Sequence, residues 1–140
     1  MGCLPLHGRD RELIKRLREG EPIRLVGGGH FLQQPVLVSD LAGTILSVAE
    51  KEAAVGKIFN VAGPEIVESR EYYRLIADIL GTGITIEETS VDAHLRDKPD
   101  SAPFLCHRVY ELNALRAVSA ELPQTPLKEG LRVQVARLIT

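Results

Sequence analysis

Strand-like and helix-like segments alternate along this chain, and their order limits the possible folds more than any single residue does. The clearest helix begins at Ser69, because apolar residues recur at helical spacing over residues 73–80. Gly81 then supplies the left-handed conformation that ends many helices. Mixed helices and strands predict an α/β (α+β) fold, with a small mixed sheet and several helices in a single domain spanning residues 1–140.

Four further helices are predicted from capping residues and apolar spacing. The first is capped by Asp10 and ends at Gly20, and the second is capped by Ser39 or Asp40 and ends near Gly56. A short helix contains Leu112 and Leu115. The final helix begins at Thr125, its cap, and Pro126. In the first helix Leu13, Ile14 and Leu17 form the apolar face, and in the last the buried side carries Leu127, Leu131, Val135 and Leu138.

The predicted strands are short and rich in aliphatic residues. They are Ile23–Val26, Gln34–Val38, Lys57–Ala62 and Ile84–Thr89. Gly27–Gly29 lies between the first two and opens no helix, which favours a hairpin connection over a phosphate cradle. Residues 91–104 carry charges and two prolines, so a loop with at most a short helix is expected.

Composition excludes several classes of function. The formal net charge is −2, the aromatic residues are three Tyr and three Phe, and no long basic run occurs. Nucleic acid is therefore a poor ligand. Because no apolar run approaches the ~20 residues that span a bilayer and the first residues do not resemble a secretory signal, we expect a cytoplasmic protein that does not bind membranes.

The cysteines and histidines match no metal site. Cys3 and Cys106 are far apart in sequence, which favours two reduced thiols over a disulfide. His107 adjoins Cys106, but no third ligand has suitable spacing. We interpret His107, like His7, His30 and His94, as a packed or surface side chain, and we predict no metal site.

Two features that hydride chemistry needs are missing from the sequence. A dinucleotide requires a strand, a glycine-rich turn and a helix whose N-terminus holds the pyrophosphate, and no segment here has that order. A tyrosine can take part in the proton transfer when a lysine four residues later lowers its pKa. The residues four positions after Tyr72, Tyr73 and Tyr110 are Ile, Ala and Ala, so no tyrosine has this lysine partner. We therefore predict no catalytic and no cofactor-binding residue in this chain.

Five motifs occur in an order that resembles a known family. They are Gly20–Gly29 (GEPIRLVGGG), Val36–Ala42 (VLVSDLA), Phe59–Gly63 (FNVAG), Ile79–Gly81 (ILG) and Pro123–Leu131 (PQTPLKEGL). Together they resemble the C-terminal part of extended short-chain dehydrogenases, the NAD-dependent nucleotide-sugar epimerase and dehydratase family. In that family the N-terminal half binds NAD(P) and the C-terminal half closes over the nucleotide-sugar. The resemblance implies a substrate-binding domain that is not catalytic alone, with NAD(P) bound by a full-length relative.

The resemblance also suggests four substrate-binding residues. Gln33 occupies the position where the family often has an arginine that binds the diphosphate. Glutamine lacks the positive charge and the bidentate hydrogen bonding of that arginine. Arg96 and Lys98 lie in a segment similar to the family's R-x-P-D stretch, although a solvated loop explains them equally well. Arg108 is a candidate for a second anion contact.

The partners expected for this chain follow from the predicted strand Lys57–Ala62. In the complete fold this strand pairs with the cofactor domain, and without that domain its edge would be open to another chain. We therefore expect a homo-oligomer or a cofactor-binding partner. The alternative function is a non-catalytic interaction or assembly protein derived from the same family, which self-associates.

Overall fold

A computed structural model describes residues 9–139, and Cys3 and His7 lie outside this range. The elements in chain order are α1 (Arg9–Arg18), β1 (Ile23–Val26), β2 (Leu32–Gln33), α2 (Val38–Ala49), β3 (Val67–Glu68), α3 (Ser69–Leu80), β4 (Ile86–Thr89), α4 (Val91–Asp97), α5 (Asn113–Ala117) and α6 (Leu127–Leu138), with short 3₁₀ turns at Gly27–Gly29, Glu52–Ala54 and Pro99–Phe104. The α/β class predicted from the sequence is confirmed.

Helix α3 has the bounds that its apolar spacing predicts. It begins at Ser69, and Gly81 follows its last residue in the left-handed region with φ of 68°. Tyr72, Ile76 and Ala77 are buried. The repeat therefore placed one face of α3 in the core, as expected for an amphipathic helix.

The four strands form two separate pairs, so the predicted hairpin is wrong. β1 pairs in parallel with β4, and β2 pairs antiparallel with β3. Gly27, Gly28 and Gly29 all have positive φ, and this turn leads the chain away from β1. At Gly29, where φ is 73°, a Cβ would lie 2.6 Å from Leu25 Cδ1, so a side chain there would be strained and would displace Leu25.

Two predicted strands are wrong. Gln34–Val38 is not a strand, because Pro35 has no N–H for a ladder and Val38 already begins α2. Residues 57–62 are not assigned to a strand, since no described strand pairs with them. Self-association through an open edge of this segment is therefore not expected. β4 is shorter than predicted and begins at Ile86.

Two predicted helix caps are also wrong, because the carboxylates concerned bind groups distant in sequence. Asp10 lies inside α1, where its carboxylate accepts from Tyr72 and Gln134. Asp40 lies in the first turn of α2 and accepts hydrogen bonds from Thr125 instead of capping its own helix, which begins after Leu37 with no side-chain cap.

The final helix begins two residues after its predicted cap. α6 starts at Leu127, and its backbone N–H donates to the carboxylate of Glu65. Other ends also differ: α2 stops at Ala49, and residues 91–104 form α4 and a 3₁₀ turn. The apolar face of α6 is as predicted, since Leu131 and Val135 are buried.

The buried residues form two apolar clusters. The larger joins the inner faces of four elements: Leu13, Ile14 and Leu17 of α1, Ile23 and Leu25 of β1, Tyr72, Ile76 and Ala77 of α3, and Leu131 and Val135 of α6. The smaller contains Ala62, Leu112 and Leu115, with Phe59 and Val48 packed against it. Within residues 9–139, no helix has the length and apolar character needed to cross a bilayer.

Candidate functional site

The candidate site is built around β2, where a later segment of the chain runs alongside the strand. The backbone N–H of Arg108 donates to Leu32 O at 2.8 Å, and Leu32 N–H donates to His107 Nδ1 at 3.0 Å. The ring of His107 also meets Phe31 edge-on, with 5.9 Å between centroids. His107 thus holds the strand in place, with its Nδ1 as the hydrogen-bond acceptor.

Gln33 carries a free hydrogen-bond donor at this site. It is half-buried and pairs through the backbone with Val67 of β3. Its side-chain Nε2 is inaccessible to solvent and has no hydrogen-bond partner among the described residues. A buried unpaired donor costs about 1–3 kcal/mol, so a rotation of this side chain that brings Nε2 to an acceptor would be favourable.

Gln34 is the residue that sequence reasoning missed. Its Nε2 donates to Gly63 O at 2.8 Å, and its Oε1 accepts from Tyr110 N–H at 2.9 Å. One side chain therefore fixes two segments against the end of β2. A cavity of about 270 Å³ lies beside it, with Arg116 and Glu111 in its wall. No local signal predicts this role, since both partners are distant along the chain.

The cationic side chains predicted to bind substrate are all exposed. Arg108 reaches back to Phe104 O, with 3.5 Å from its Nη2. Arg96 lies in the last turn of α4, and Lys98 follows that helix. Gln33 and Arg108 lie on adjacent backbone segments. No hydrogen bond among residues 10–139 joins Arg96 or Lys98 to either of them.

His30 belongs to a chain of polar and charged side chains that the sequence did not reveal. Its Nδ1 lies 3.1 Å from Glu68 Oε2, and Arg70 Nη1 lies 2.9 Å from its Nε2. Arg70 also lies 3.9 Å from Glu88. Since arginine can only donate, Nε2 accepts from Arg70 and Nδ1–H donates to Glu68. This chain of contacts ties the glycine turn to β3, α3 and β4.

Asp40 is the described carboxylate with a clearly shifted pKa. Hydrogen bonds from the Thr125 backbone, the Thr125 hydroxyl and the Gln124 backbone lower its pKa below the usual 3.8. These donors favour the charged form of the carboxylate. Because Asp40 is saturated with protein donors that join α2 to the start of α6, its role is structural.

Metal chemistry has no support among the residues described. No group of three or more His, Cys, Asp or Glu side chains with metal-binding geometry occurs in that part of the chain. Cys106 is exposed and free.

Solved structures of nucleotide-sugar enzymes share this fold. UDP-glucuronic acid 4-epimerase from Bacillus cereus, solved with UDP-glucuronic acid and NAD, matches 91% of this chain with a TM-score of 0.72 at 18% identity. This chain has the fold of part of an extended short-chain dehydrogenase. dTDP-glucose 4,6-dehydratase from Bacillus anthracis matches 89% with a TM-score of 0.68 at 19% identity, and Thermus thermophilus UDP-glucose 4-epimerase matches 91% with 0.66 at 20% identity.

The matched region is a minor part of these enzymes. The chain spans 38% of the B. cereus epimerase, 37% of the B. anthracis dehydratase and 39% of the T. thermophilus epimerase. No protein-family model and no curated protein matches the sequence. At these identities the likeness establishes the fold, and functional residues have to be argued from this chain's own geometry.

Proposed function

We propose that this chain is the nucleotide-sugar-binding part of an NAD(P)-dependent epimerase- or dehydratase-like protein and is not catalytic by itself. The observation that carries the proposal is the match of 91% of the chain to an epimerase solved with UDP-glucuronic acid and NAD. The unpaired amide of Gln33 and the exposed guanidinium of Arg108, which lie on adjacent backbone segments, support it, because both are donors of the kind that bind the oxygens of a sugar diphosphate.

The proposed binding surface combines positive charge with neutral hydrogen-bond donors. Gln33 donates through a neutral amide, so the positive charge that a diphosphate needs comes from Arg108, with Arg96 and Lys98 on the exposed segment that leads to it. A neutral donor binds a phosphate oxygen more weakly than a guanidinium fork. We therefore expect modest affinity for the chain alone.

The described residues do not fit a dinucleotide. The turn Gly27–Gly29 leads into β2 and not into a helix, so no helix N-terminus is available there for a pyrophosphate. We propose that NAD(P) is held by a cofactor-binding partner or half. An alternative occupant for the same contact is a second copy of this chain.

The segment 45–58 supports a contact with such a partner. Four of its aliphatic side chains are strongly exposed: Ile45 at 57%, Leu46 at 68%, Val55 at 80% and Ile58 at 94%. Exposed aliphatic side chains so close along the chain are typical of surfaces that another domain covers. The free thiol of Cys106 fits a reducing compartment such as the cytoplasm, where we place the protein.

Binding is tested by thermal shift and titration calorimetry with UDP-glucuronic acid, UDP-glucose and dTDP-glucose. A ligand that binds only the native state raises the Tm. We expect Gln33→Glu to weaken binding about tenfold, because its carboxylate repels a diphosphate, and Gln124→Glu on an exposed glutamine to leave it unchanged. The proposal fails if none of the three ligands shifts the Tm of the folded chain.

The second candidate function is that of a non-catalytic assembly protein, and the exposed aliphatic residues of segment 45–58 favour it. Sedimentation velocity distinguishes the two. A stable oligomer that Leu46→Lys dissociates, combined with no response to nucleotide-sugars, supports the assembly function. A monomer that binds a nucleotide-sugar supports the first proposal.

A further inference from the structure

A second concave site lies between α1, α3 and α6, apart from the surface around β2. It is a groove of about 480 Å³, and cationic side chains from two helices line it: Arg18 from α1 and Lys128 and Arg132 from α6. Asp78 of α3 is the acidic residue in its wall. The groove therefore carries a formal charge of about +2 at neutral pH.

The position of these cations is unfavourable for the protein alone. Lys128 is the second residue of α6, where the positive end of the helix dipole disfavours a cation. Lys128 and Arg132 are four residues apart on one helix face, a spacing at which like charges repel. No carboxylate among residues 10–139 lies within 4.0 Å of Arg18, Lys128 or Arg132, so no described ion pair offsets this repulsion.

The rest of the groove is aliphatic. Its lining includes Ile79 and Leu80 of α3, Val135 of α6 and Ile139, of which Ile139 is 46% exposed. An inorganic anion would use the cations and leave this surface in contact with water. A ligand that carries both an anion and an apolar group would bury it, and about 480 Å³ is within the range of small-molecule sites.

We propose that this groove binds a small phosphate monoester with an apolar substituent. The dianionic phosphate meets Arg18, Lys128 and Arg132, while the substituent packs on the aliphatic side chains. Guanidinium groups suit the phosphate because they donate in a fork to two oxygens. The site uses no residue of the surface around β2, so it stands or falls independently of the nucleotide-sugar proposal.

Calorimetric titration with phenyl phosphate, inorganic phosphate and phenol tests each half of this proposal. Phenyl phosphate should bind most tightly, inorganic phosphate at least several-fold more weakly, and phenol without measurable heat. Arg132→Gln should weaken phenyl phosphate about tenfold, whereas Arg137→Gln, on the same helix but outside the groove, should not.

The apolar half has its own matched pair. Ile139→Ala should reduce the preference for phenyl phosphate over inorganic phosphate, whereas Val133→Ala, an exposed residue of α6 outside the groove, should leave it unchanged. Equal affinity for phenyl phosphate and inorganic phosphate would overturn the proposed substituent. Equal weakening by Arg132→Gln and Arg137→Gln, or no binding by the folded chain, would overturn the site.

Discussion

Gly63 lies where three segments of the chain meet, and Gly63→Ala is the substitution whose effect the structure defines most sharply. A Cβ built on Gly63 would lie 1.9 Å from the carbonyl oxygen of Pro35, so that backbone would have to move by about 1 Å to reach even a tight contact of 3.0 Å. Pro35 follows Gln34, whose side chain donates to Gly63 O. The displacement therefore also disturbs the hydrogen bond that fixes the end of β2.

The cost of Gly63→Ala follows from these two effects. Overpacking against a fixed backbone costs about 1–3 kcal/mol, and the lost hydrogen bond adds about 1 kcal/mol. We expect a loss of about 3 kcal/mol in the free energy of unfolding. For a chain of 140 residues this lowers the Tm by roughly 10 °C. Urea denaturation followed by far-UV circular dichroism measures the first value, and a thermal scan the second.

Gly43→Ala is the matched control. Gly43 lies inside α2, and outside that helix the nearest neighbour of an added Cβ would be Glu121 Oε2 at an ordinary 3.6 Å. Alanine should therefore stabilise the protein by about 0.5–1 kcal/mol through helix propensity. If Gly63→Ala unfolds within about 2 °C of the unmodified chain, the close approach of residues 35 and 63 is wrong.

Further outcomes are expected at Asp40, Gln33 and Leu115. Asp40→Ala should cost about 2–3 kcal/mol in urea denaturation, because it removes a charged acceptor from the Thr125 backbone and hydroxyl. Since the pKa of Asp40 is lowered in the folded state, its contribution to stability is present above pH 3.8 and is lost as the pH falls through the folded pKa. Asp40→Asn should therefore flatten the acid side of the plot of stability against pH, and an unchanged plot contradicts this. Gln33→Arg should tighten UDP-sugar binding about tenfold by calorimetry, because it adds a cation to a neutral donor site, and weaker binding would argue against a diphosphate there. Leu115→Ala should lower the free energy of unfolding by about 2–5 kcal/mol, since Leu115 is fully buried in the smaller cluster. Ile58→Ala, at an exposed site, should change it by less than about 0.5 kcal/mol, and similar losses would contradict the burial pattern.

The sequence predicted the elements whose signals are local. α3 carries its apolar repeat and its terminating glycine within 13 residues of sequence, and β1 has the predicted bounds Ile23–Val26. Both signals act between near neighbours, so periodicity and turn chemistry were sufficient to find them. The order of the five motifs also predicted the fold that the solved enzymes share.

The misplaced elements depend on partners far along the chain. Asp40 is of a residue type that often caps helices, but it accepts hydrogen bonds from Thr125, 85 residues away. Gln34 was assigned to a strand although it binds Gly63 and Tyr110. Residues 57–62 have strand-like composition, yet composition alone does not supply the neighbouring strand that β-structure requires. The substrate-binding roles of Gln33, Arg96, Lys98 and Arg108 remain predictions.

The packing of α1 against the same core as α6 has a consequence for biosynthesis. Leu13 and Leu17 of the first helix share a cluster with Leu131 and Val135 of the last, and Gln134 donates to Asp10. During translation the early residues leave the ribosome long before their partners exist. The larger cluster can close only after residue 135 has emerged, so the apolar face of α1 lacks its α6 partner while the residues between them are synthesised.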